Sequence, residues 1–408
     1  MDLLPILSTL KRHKTAAGLI VLQIALTCAI VCNAMFLINE RITNIYWPSH
    51  MAENELVVLS ISGMKRDENP DPQTRVDLAA LRAIAGVKSV TLINQVPFGD
   101  NSNNTGVRLT GERDAKSTST TFYHSGEGAI ETLGLRLKEG RDFLPEEYVY
   151  DTVLDKQDDP AIPAVLINRA LAEALFPGES ALGKSIYTYT KSPQRVVGVL
   201  EDLVHTHPDP GNRTRPTLLV PIRPAYNGGA FVLRTDPSNT DAVLKAAKEA
   251  LMKSSGGIKR LVRYEKTMKE MRENYYRQDR SMVWLLGGVC LGLLVVTAFG
   301  IVGLASFWVQ QRTRMIGTRR ALGATQGQIL RYFQTENFLL STVGIVIGMM
   351  LAYGISVLLM RAYELPRLPL YYLPIGAATL WLLGQIAVWT PARRAALLPP
   401  VAALRAAV

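Results

Sequence analysis

The chain has little cysteine and no obvious catalytic pattern. Its 408 residues include three cysteines, Cys28, Cys32 and Cys290, and none lies between residues 39 and 280. That segment must fold without disulfides, which a stretch of about 240 residues can do with an ordinary hydrophobic core. The sequence also lacks a recognisable pairing of a nucleophile with a base, so it favours no enzymatic chemistry in this chain.

Charge is missing from four long stretches, namely Thr15–Ile38, Met282–Trp308, Phe338–Met360 and Tyr371–Trp389. A helix needs about 20 apolar residues to cross a hydrocarbon core of roughly 30 Å, where each charge costs about 2.5–3.5 kcal/mol. In a chain that is 20% charged, these stretches predict transmembrane helices at 15–38, 282–308, 338–360 and 371–390. The first is too long for a signal-peptide core and no cleavage site follows it, so we expect an uncleaved anchor.

The basic residues outside these stretches are segregated along the chain. Of 45 Lys and Arg residues, 32 lie in residues 39–280 beside 32 acids, which leaves 13 basic residues against 3 acids elsewhere. The excess flanks the apolar stretches at 1–14, 309–337 and 391–408, so the positive-inside rule places these segments in the cytoplasm. Residues 39–280 and the loop 361–370 are then outside. The net charge of +10 is thereby explained as a topology signal, which removes the argument for a nucleic-acid partner.

The fold class predicted is an α-helical membrane protein with a mixed α/β extracytoplasmic domain, residues 39–264, between the first two transmembrane helices. Strand–helix–strand patterns bracket this domain at 55–95 and 230–264, and an inserted subdomain is expected at about 121–220. Residues 265–281 contain no Gly or Pro. They predict a stalk helix that runs without a break into the second transmembrane helix, with an apolar stripe of Met268, Met271 and Tyr275.

Small residues recur four positions apart in three of the membrane stretches. Such spacing lets helix backbones approach closely, so we expect helix packing at these positions. The pairs are Ala25 and Ala29, Gly288 and Gly292, and Gly344 and Gly348.

Two local motifs suggest binding chemistry. Gly178–Ser185 matches the phosphate-binding pattern G-x-x-x-x-G-K-[ST], but a helical pattern precedes it and a strand pattern follows, which is the reverse of a phosphate-binding loop. We interpret it as a turn, and replacement of Lys184 would separate a turn from a nucleotide site. His205 and His207 follow Glu201 and Asp202, but two histidines on a proline-rich loop do not amount to a metal site. We therefore assign no catalytic, cofactor or metal residue.

The basic stretch Gln310–Glu336 is helical in pattern, with glycine interruptions expected at Gly317, Gly323 and Gly327. It resembles the cytoplasmic loop of MacB/FtsX-type, or type VII, ABC transporter permeases, in which R-x-x-E-I-G-x-R-R-A-L-G-A precedes the third membrane helix. Met315 stands where an acid is usual, while Ile329 and Glu336 also fit. The ATPase-coupling residues that the resemblance implies are Arg312, Arg314, Ile316, Gly317, Arg319, Arg320, Ala321, Leu322, Gly323 and Ala324. Ile316 and Leu322 are the expected apolar anchors.

Other segments carry the same resemblance over nearly the whole chain. Residues 133–143, 166–186 and 195–202 look like parts of the MacB-like periplasmic core domain. Residues 391–405 look like the family's C-terminal signature.

The resemblance implies a multi-pass permease of the bacterial inner membrane with its large domain in the periplasm. It would form a dimer with a second copy or a sister permease, and ATP and Mg would be bound by separate cytoplasmic ATPase subunits. ATP hydrolysis would move the periplasmic domain, a process called mechanotransmission. The expected activity is export of a drug, peptide or toxin, with a periplasmic adaptor and an outer-membrane channel as possible further partners. The alternative is an FtsX/Lol-like permease that extracts lipoproteins or regulates a cell-wall hydrolase.

Overall fold

The computed structural model describes residues 14–64, 67, 69–112, 114–154, 156, 161–203, 205–208, 215–363 and 367–397. Most of the predicted N-terminal segment 1–14, the predicted tail from residue 398 onward, and residues 364–366 of the predicted external loop lie outside this range. The helices are α1 Lys14–Ile45, α2 Asp71–Arg82, α3 Ala129–Leu133, α4 Asp151–Leu154, α5 Arg169–Leu175, α6 Thr240–Lys253, α7 Met268–Tyr275, α8 Arg277–Gln311, α9 Thr313–Ala321, α10 Gln326–Tyr363 and α11 Tyr372–Ala396.

One compact unit comprises the residues up to Thr43 and those from Asp279 onward. Within the described residues, it contains four helices long and apolar enough to cross a membrane, α1, α8, α10 and α11. All four are longer than the uncharged stretches, because helical backbone continues into the polar flanks. The largest extension is in α10, which begins at Gln326, twelve residues before the predicted span at 338–360.

The second unit, Asn44–Gln278, contains the strands. They are β1 Leu56–Gly63, β2 Val87–Ile93, β3 Asn104–Val107, β4 Thr118–His124, β5 Leu137–Gly140, β6 Val149–Tyr150, β7 Ala164–Asn168, β8 Ser185–Ile186, β9 Gln194–Leu200, β10 Thr217–Val220, β11 Ile222–Arg223, β12 Ala230–Thr235 and β13 Arg260–Thr267.

The two bracketing strand–helix–strand patterns form a single sheet. Its strand order is β13-β1-β12-β2, so β1–α2–β2 and β12–α6–β13 interleave in a split βαβ arrangement. Leu81 of α2 and Val243, Ala247 and Leu251 of α6 are buried against this sheet. The apolar residues at helical spacing thus pair each helix with the strands around it.

The inserted subdomain is a second sheet with the order β3-β4-β10-β7-β9-β5 and with β8 on β9. It begins at Asn104 of β3, whereas the predicted boundary was about residue 121. The short β3 strand NTGV carries no apolar alternation, so its pairing with β4 is set by tertiary contacts and not by local pattern.

The predicted stalk helix 265–281 is wrong in two respects. Strand β13 continues to Thr267, where the Thr267 hydroxyl and the Glu270 carboxylate form a capping box that starts α7. Tyr276 then interrupts the helix between α7 and α8. Met268 and Met271 are buried and Tyr275 is half-buried in a core shared by both sheets, so α7 is an integral part of the outer unit.

Candidate functional site

The basic segment between the second and third spanning helices, residues 312–325, consists of helix α9 with a turn on each side. Arg312 separates α8 from α9, and its own backbone is not helical. At the other end Gly323 adopts φ +96°, a conformation that favours glycine, and the backbone N–H of Ala324 donates to the carbonyl of Arg319. Thr325 and Gln328 then exchange backbone and side-chain hydrogen bonds and start α10. Only Gly323 of the three expected glycine interruptions breaks a helix, because Gly317 and Gly327 lie inside α9 and α10.

The two faces of α9 and its flanking residues differ in their exposure to solvent. Arg312, Ile316 and Gly317 are buried in the bundle, and Ile316 is only 2% exposed among Ile329, Phe333 and the end of α11. Leu322 is 83% exposed. The exposed residues of the segment are Arg314, Met315, Thr318, Arg319, Ala321, Leu322 and Gly323, while Arg320 and Ala324 are half-buried.

This geometry corrects the role expected of Ile316. A residue buried against Ile329 and Phe333 cannot anchor a partner without leaving the bundle. The large apolar side chains that are exposed in this segment are Leu322 and Met315, and Met315 is the residue that departs from the family pattern. Arg319 lies beside them with its guanidinium 5.1 Å from the centre of the Tyr332 ring, which holds this cation in place.

A buried ion pair connects the turn before α9 to α10. The guanidinium of Arg312 donates to both carboxylate oxygens of Glu336, over 2.7 and 3.0 Å. The two side chains are 9% and 1% exposed, and Arg312 also lies over the Trp308 ring. Sequence reasoning included both residues in the motif but did not pair them. The available signal was that Glu336 is the only acid between Asp279 and Glu364.

The small residues of α1 and α10 pack against each other. A Cβ added at Gly344 would lie 2.9 Å from Ile24, and one at Gly348 would lie 2.5 Å from the Cys28 Cβ. Ala25 and Ala29 are buried at the same interface. By contrast, a Cβ at Gly288 or Gly292 of α8 would meet nothing within 4 Å, so these two glycines serve no helix contact within the described chain.

Arg272 of α7 forms a second polar junction, inside the outer unit. Its guanidinium donates to both carboxylate oxygens of Glu53, at 2.7 and 2.9 Å, and to the backbone carbonyls of Ile45 and Trp47. Ile45 is the last residue of α1. Arg272 therefore satisfies carbonyl groups at the end of this helix that have no partner within the helix. No sequence pattern pointed to this residue, because its partners are more than 200 positions away.

The GKS-containing segment is a turn between α5 and the two-residue strand β8. Gly178 and Gly183 have positive φ, and the ammonium of Lys184 pairs with Glu179 and lies over the Phe176 ring. The hydrogen bond from Lys184 lowers the pKa of Glu179. The strand-then-helix geometry that cradles phosphate is not present at this segment.

His205 and His207 belong to a local turn. The backbone N–H of His207 donates to Nδ1 of His205 over 2.9 Å, so that nitrogen is engaged within the loop. The nearby Asp202 carboxylate accepts from the Asn168 amide and the Leu203 backbone. Within the ranges described by the structure, no group of three His, Cys, Asp or Glu side chains is arranged to hold a metal ion.

Comparison with known proteins gives two family matches. The model of the MacB-like periplasmic core domain matches residues 25–250, which is more than half of the chain, and the model of the FtsX-like permease C-terminal region matches residues 288–400. The second match contains the whole of α9 and α10.

Relatives differ in how much of their length the chain spans. The macrolide export ATP-binding/permease protein MacB of Aggregatibacter actinomycetemcomitans is 28% identical over 62% of this chain and 37% of its own length. The uncharacterized ABC transporter permease YknZ of Bacillus subtilis is 24% identical over 81% of this chain and 79% of its own. The solved periplasmic region of MacB from Actinobacillus actinomycetemcomitans is 18% identical, with a TM-score of 0.36 over 56% of this chain and 96% of that one.

Proposed function

The chain belongs to the ABC transporter permeases that join a MacB-like periplasmic core domain to an FtsX-like C-terminal region, and we propose that it couples ATP hydrolysis by a separate ATPase subunit to movements of its periplasmic domain. It is a multi-pass protein of the inner membrane. The ATP and Mg would be bound by the ATPase, because the GKS segment of this chain has the geometry of a turn.

The observation that carries the proposal is the exposed face of α9, taken to include Leu322, the residue that directly follows the helix. Leu322 and Met315 present apolar surface, and Arg314 and Arg319 surround it with positive charge. An apolar centre with a polar, solvent-accessible rim is the usual composition of a protein-binding surface. We infer that this face receives the ATPase, with Leu322 as the main anchor and the arginines facing an acidic rim on the partner.

Mechanotransmission is supported by the continuity of helix α1. Helix α1 runs unbroken from Lys14 to Ile45, and Arg272 binds the carbonyl at its end to α7. A helix tied at its last turn to a buried core can transmit a displacement, because packed interiors deform little. No charged side chain lies in the apolar stretches of the four spanning helices, which argues against a polar substrate path through them.

We further propose that the permease acts as a dimer, with a second copy or a sister permease, and that it serves export. MacB of A. actinomycetemcomitans is named a macrolide exporter. A drug, peptide or toxin is the proposed class of cargo for this chain, with a periplasmic adaptor and an outer-membrane channel as further partners.

The test is to replace Leu322 by Asp in the tagged permease and to measure how much ATPase subunit co-purifies. An anchor of this kind is worth about 2 kcal/mol or more, so association should weaken by at least roughly 30-fold. Arg314→Ala, which removes an exposed charge of the rim, should weaken it less and in a salt-dependent way.

The matched control is Leu397→Asp. Leu397 is also exposed, at 55%, and follows the last residue of α11, so it introduces the same charge outside α9. Equal loss of ATPase in both variants, or no loss with Leu322→Asp, would mean that the exposed face of α9 is not the docking site.

A further inference from the structure

The turn at Arg312 is held by contacts that a simple connection between two helices does not need. Helix α8 ends at Gln311 and α9 begins at Thr313, so the direction of α9 depends on the conformation of one residue. The side chain of that residue makes the bidentate pair with Glu336 of α10. A fork of two parallel hydrogen bonds fixes orientation as well as distance.

Stability alone explains this pair poorly. Burying two charges costs desolvation energy that their attraction repays only in good geometry, and well-packed apolar residues often serve a fold as well or better. Removal of one partner, however, leaves an uncompensated buried charge and is strongly unfavourable. A pair of this kind is therefore suited to defining one arrangement of the surrounding helices.

The surroundings of the pair are incompletely packed. A cavity of about 20 Å³ lies beside Glu336 and is lined by Trp308, Asn337 and apolar side chains. Within the described residues, the Trp308 indole nitrogen, the Asn337 amide nitrogen and the Ser341 hydroxyl are buried and make no hydrogen bond. Most buried polar groups in proteins are satisfied. These unsatisfied groups lie on α8 and α10, so the ion pair is the polar contact that joins the turn at Arg312 to α10 in the described part of the chain. Ile316 of α9 adds apolar packing to the same bundle, but it lies beyond the turn.

We propose that Arg312 and Glu336 are positioning residues that set the orientation of α9 relative to α10, and thereby the orientation of the exposed face that carries Leu322. They do not touch the partner, because both are buried. The effect on ATPase coupling rests on the proposed function, whereas the effect on the orientation of α9 is a property of the permease alone.

The experiment measures that orientation without the ATPase. Spin labels are attached to Thr318→Cys on α9 and Val343→Cys on α10, both at exposed positions, in full-length permease whose three native cysteines are replaced by alanine. Pulsed electron paramagnetic resonance in nanodiscs then gives the distribution of distances between the labels. The parent protein should give one narrow distribution, and Glu336→Gln should broaden and shift it.

Two further variants separate positioning from folding. The double variant Arg312→Gln and Glu336→Gln leaves no buried charge, so it should fold even if Glu336→Gln does not, and its distribution should also be broad. The exchange Arg312→Glu with Glu336→Arg restores the opposite charges and should narrow the distribution again. A folded double-glutamine variant with the narrow distribution of the parent would overturn the proposal.

The same variants distinguish an error in the proposed function from an error in the positioning role. If Leu322→Asp leaves ATPase association intact while Glu336→Gln still broadens the distribution, the positioning role stands and the docking surface lies elsewhere. If the distribution is unchanged in every folded variant, the positioning role is wrong whatever the ATPase does.

Discussion

At the scale of single residues, side chains of the same type in α9 and its two flanking turns differ in their exposure to solvent. Ile316 and Leu322 are both apolar, yet one lies in the bundle core and the other is exposed. Arg312 and Arg314 are both cations two positions apart, yet Arg312 is buried in an ion pair and Arg314 is exposed. Whether such a side chain is buried or exposed therefore depends on the direction in which the backbone orients it, and residue type alone does not predict it.

Arg272 allows a prediction about the stability of the outer unit. Arg272→Ala leaves the Glu53 carboxylate and the carbonyls of Ile45 and Trp47 without their donor. We expect the free energy of unfolding to fall by about 2–3 kcal/mol, because unpaired, largely buried polar groups lose hydrogen bonds without regaining water. Thermal unfolding of the purified full-length protein measures this.

Two variants control the Arg272 experiment. Arg272→Lys keeps the charge but cannot form the fork, so it should show an intermediate loss. Arg82→Ala removes an exposed arginine at the end of α2 and should change stability by less than about 0.5 kcal/mol. Equal losses in Arg272→Ala and Arg82→Ala would show that the junction contributes nothing.

At the scale of elements, the contact between α1 and α10 depends on glycine. Gly348→Ala would place a Cβ 2.5 Å from the Cys28 Cβ and 2.7 Å from the Ala25 carbonyl oxygen. The helices must then separate, at a cost of about 1–3 kcal/mol, which is typical of overpacking. We expect a lower melting temperature for this variant in nanodiscs.

Gly288→Ala is the matched control for this prediction. It makes the same chemical change in α8, where the added Cβ would meet nothing within 4 Å. It should leave the melting temperature unchanged or slightly raised, because alanine favours helix more than glycine does. If both variants lower the melting temperature equally, the close contact between α1 and α10 at Gly348 does not contribute to stability in the way predicted.

At the scale of the whole molecule, the distribution of charge predicts sidedness. Leu109→Cys lies in the outer unit and Gln326→Cys at the start of α10, and both positions are exposed. In intact cells, a membrane-impermeant maleimide should label the first and not the second, because the excess of basic residues keeps its flanking segments in the cytoplasm. The native cysteines are buried and should contribute little background. If only Gln326→Cys is labelled, the topology is the reverse of the predicted one, and the function proposed from it is wrong.

The sequence predicted the spanning helices and parts of the outer domain correctly, but it did not predict the stalk or the start of the inserted subdomain. Strand β2 lies within the predicted strand–helix–strand pattern 55–95 and helix α6 within the pattern 230–264. The described residues contain four helices long and apolar enough to span a membrane, as predicted. The prediction of a stalk helix was wrong up to Thr267. The absence of Gly and Pro permits a helix there, but it does not reveal that residues 260–267 pair with β1 as a strand. The predicted start of the inserted subdomain was wrong for the same reason, because β3 becomes a strand only through its pairing with β4.

What the sequence by itself determined is the class of protein: spanning helices, a mixed α/β outer domain and a basic segment between the second and third spanning helices. These follow from hydropathy, charge and period, which act over one or two helical turns and are therefore readable locally. Only the tertiary structure decided that Ile316 is buried and Leu322 exposed, that Arg312 meets Glu336, and that Arg272 meets the end of α1. Such contacts join residues far apart in the chain, and their energies depend on packing geometry that no local pattern encodes.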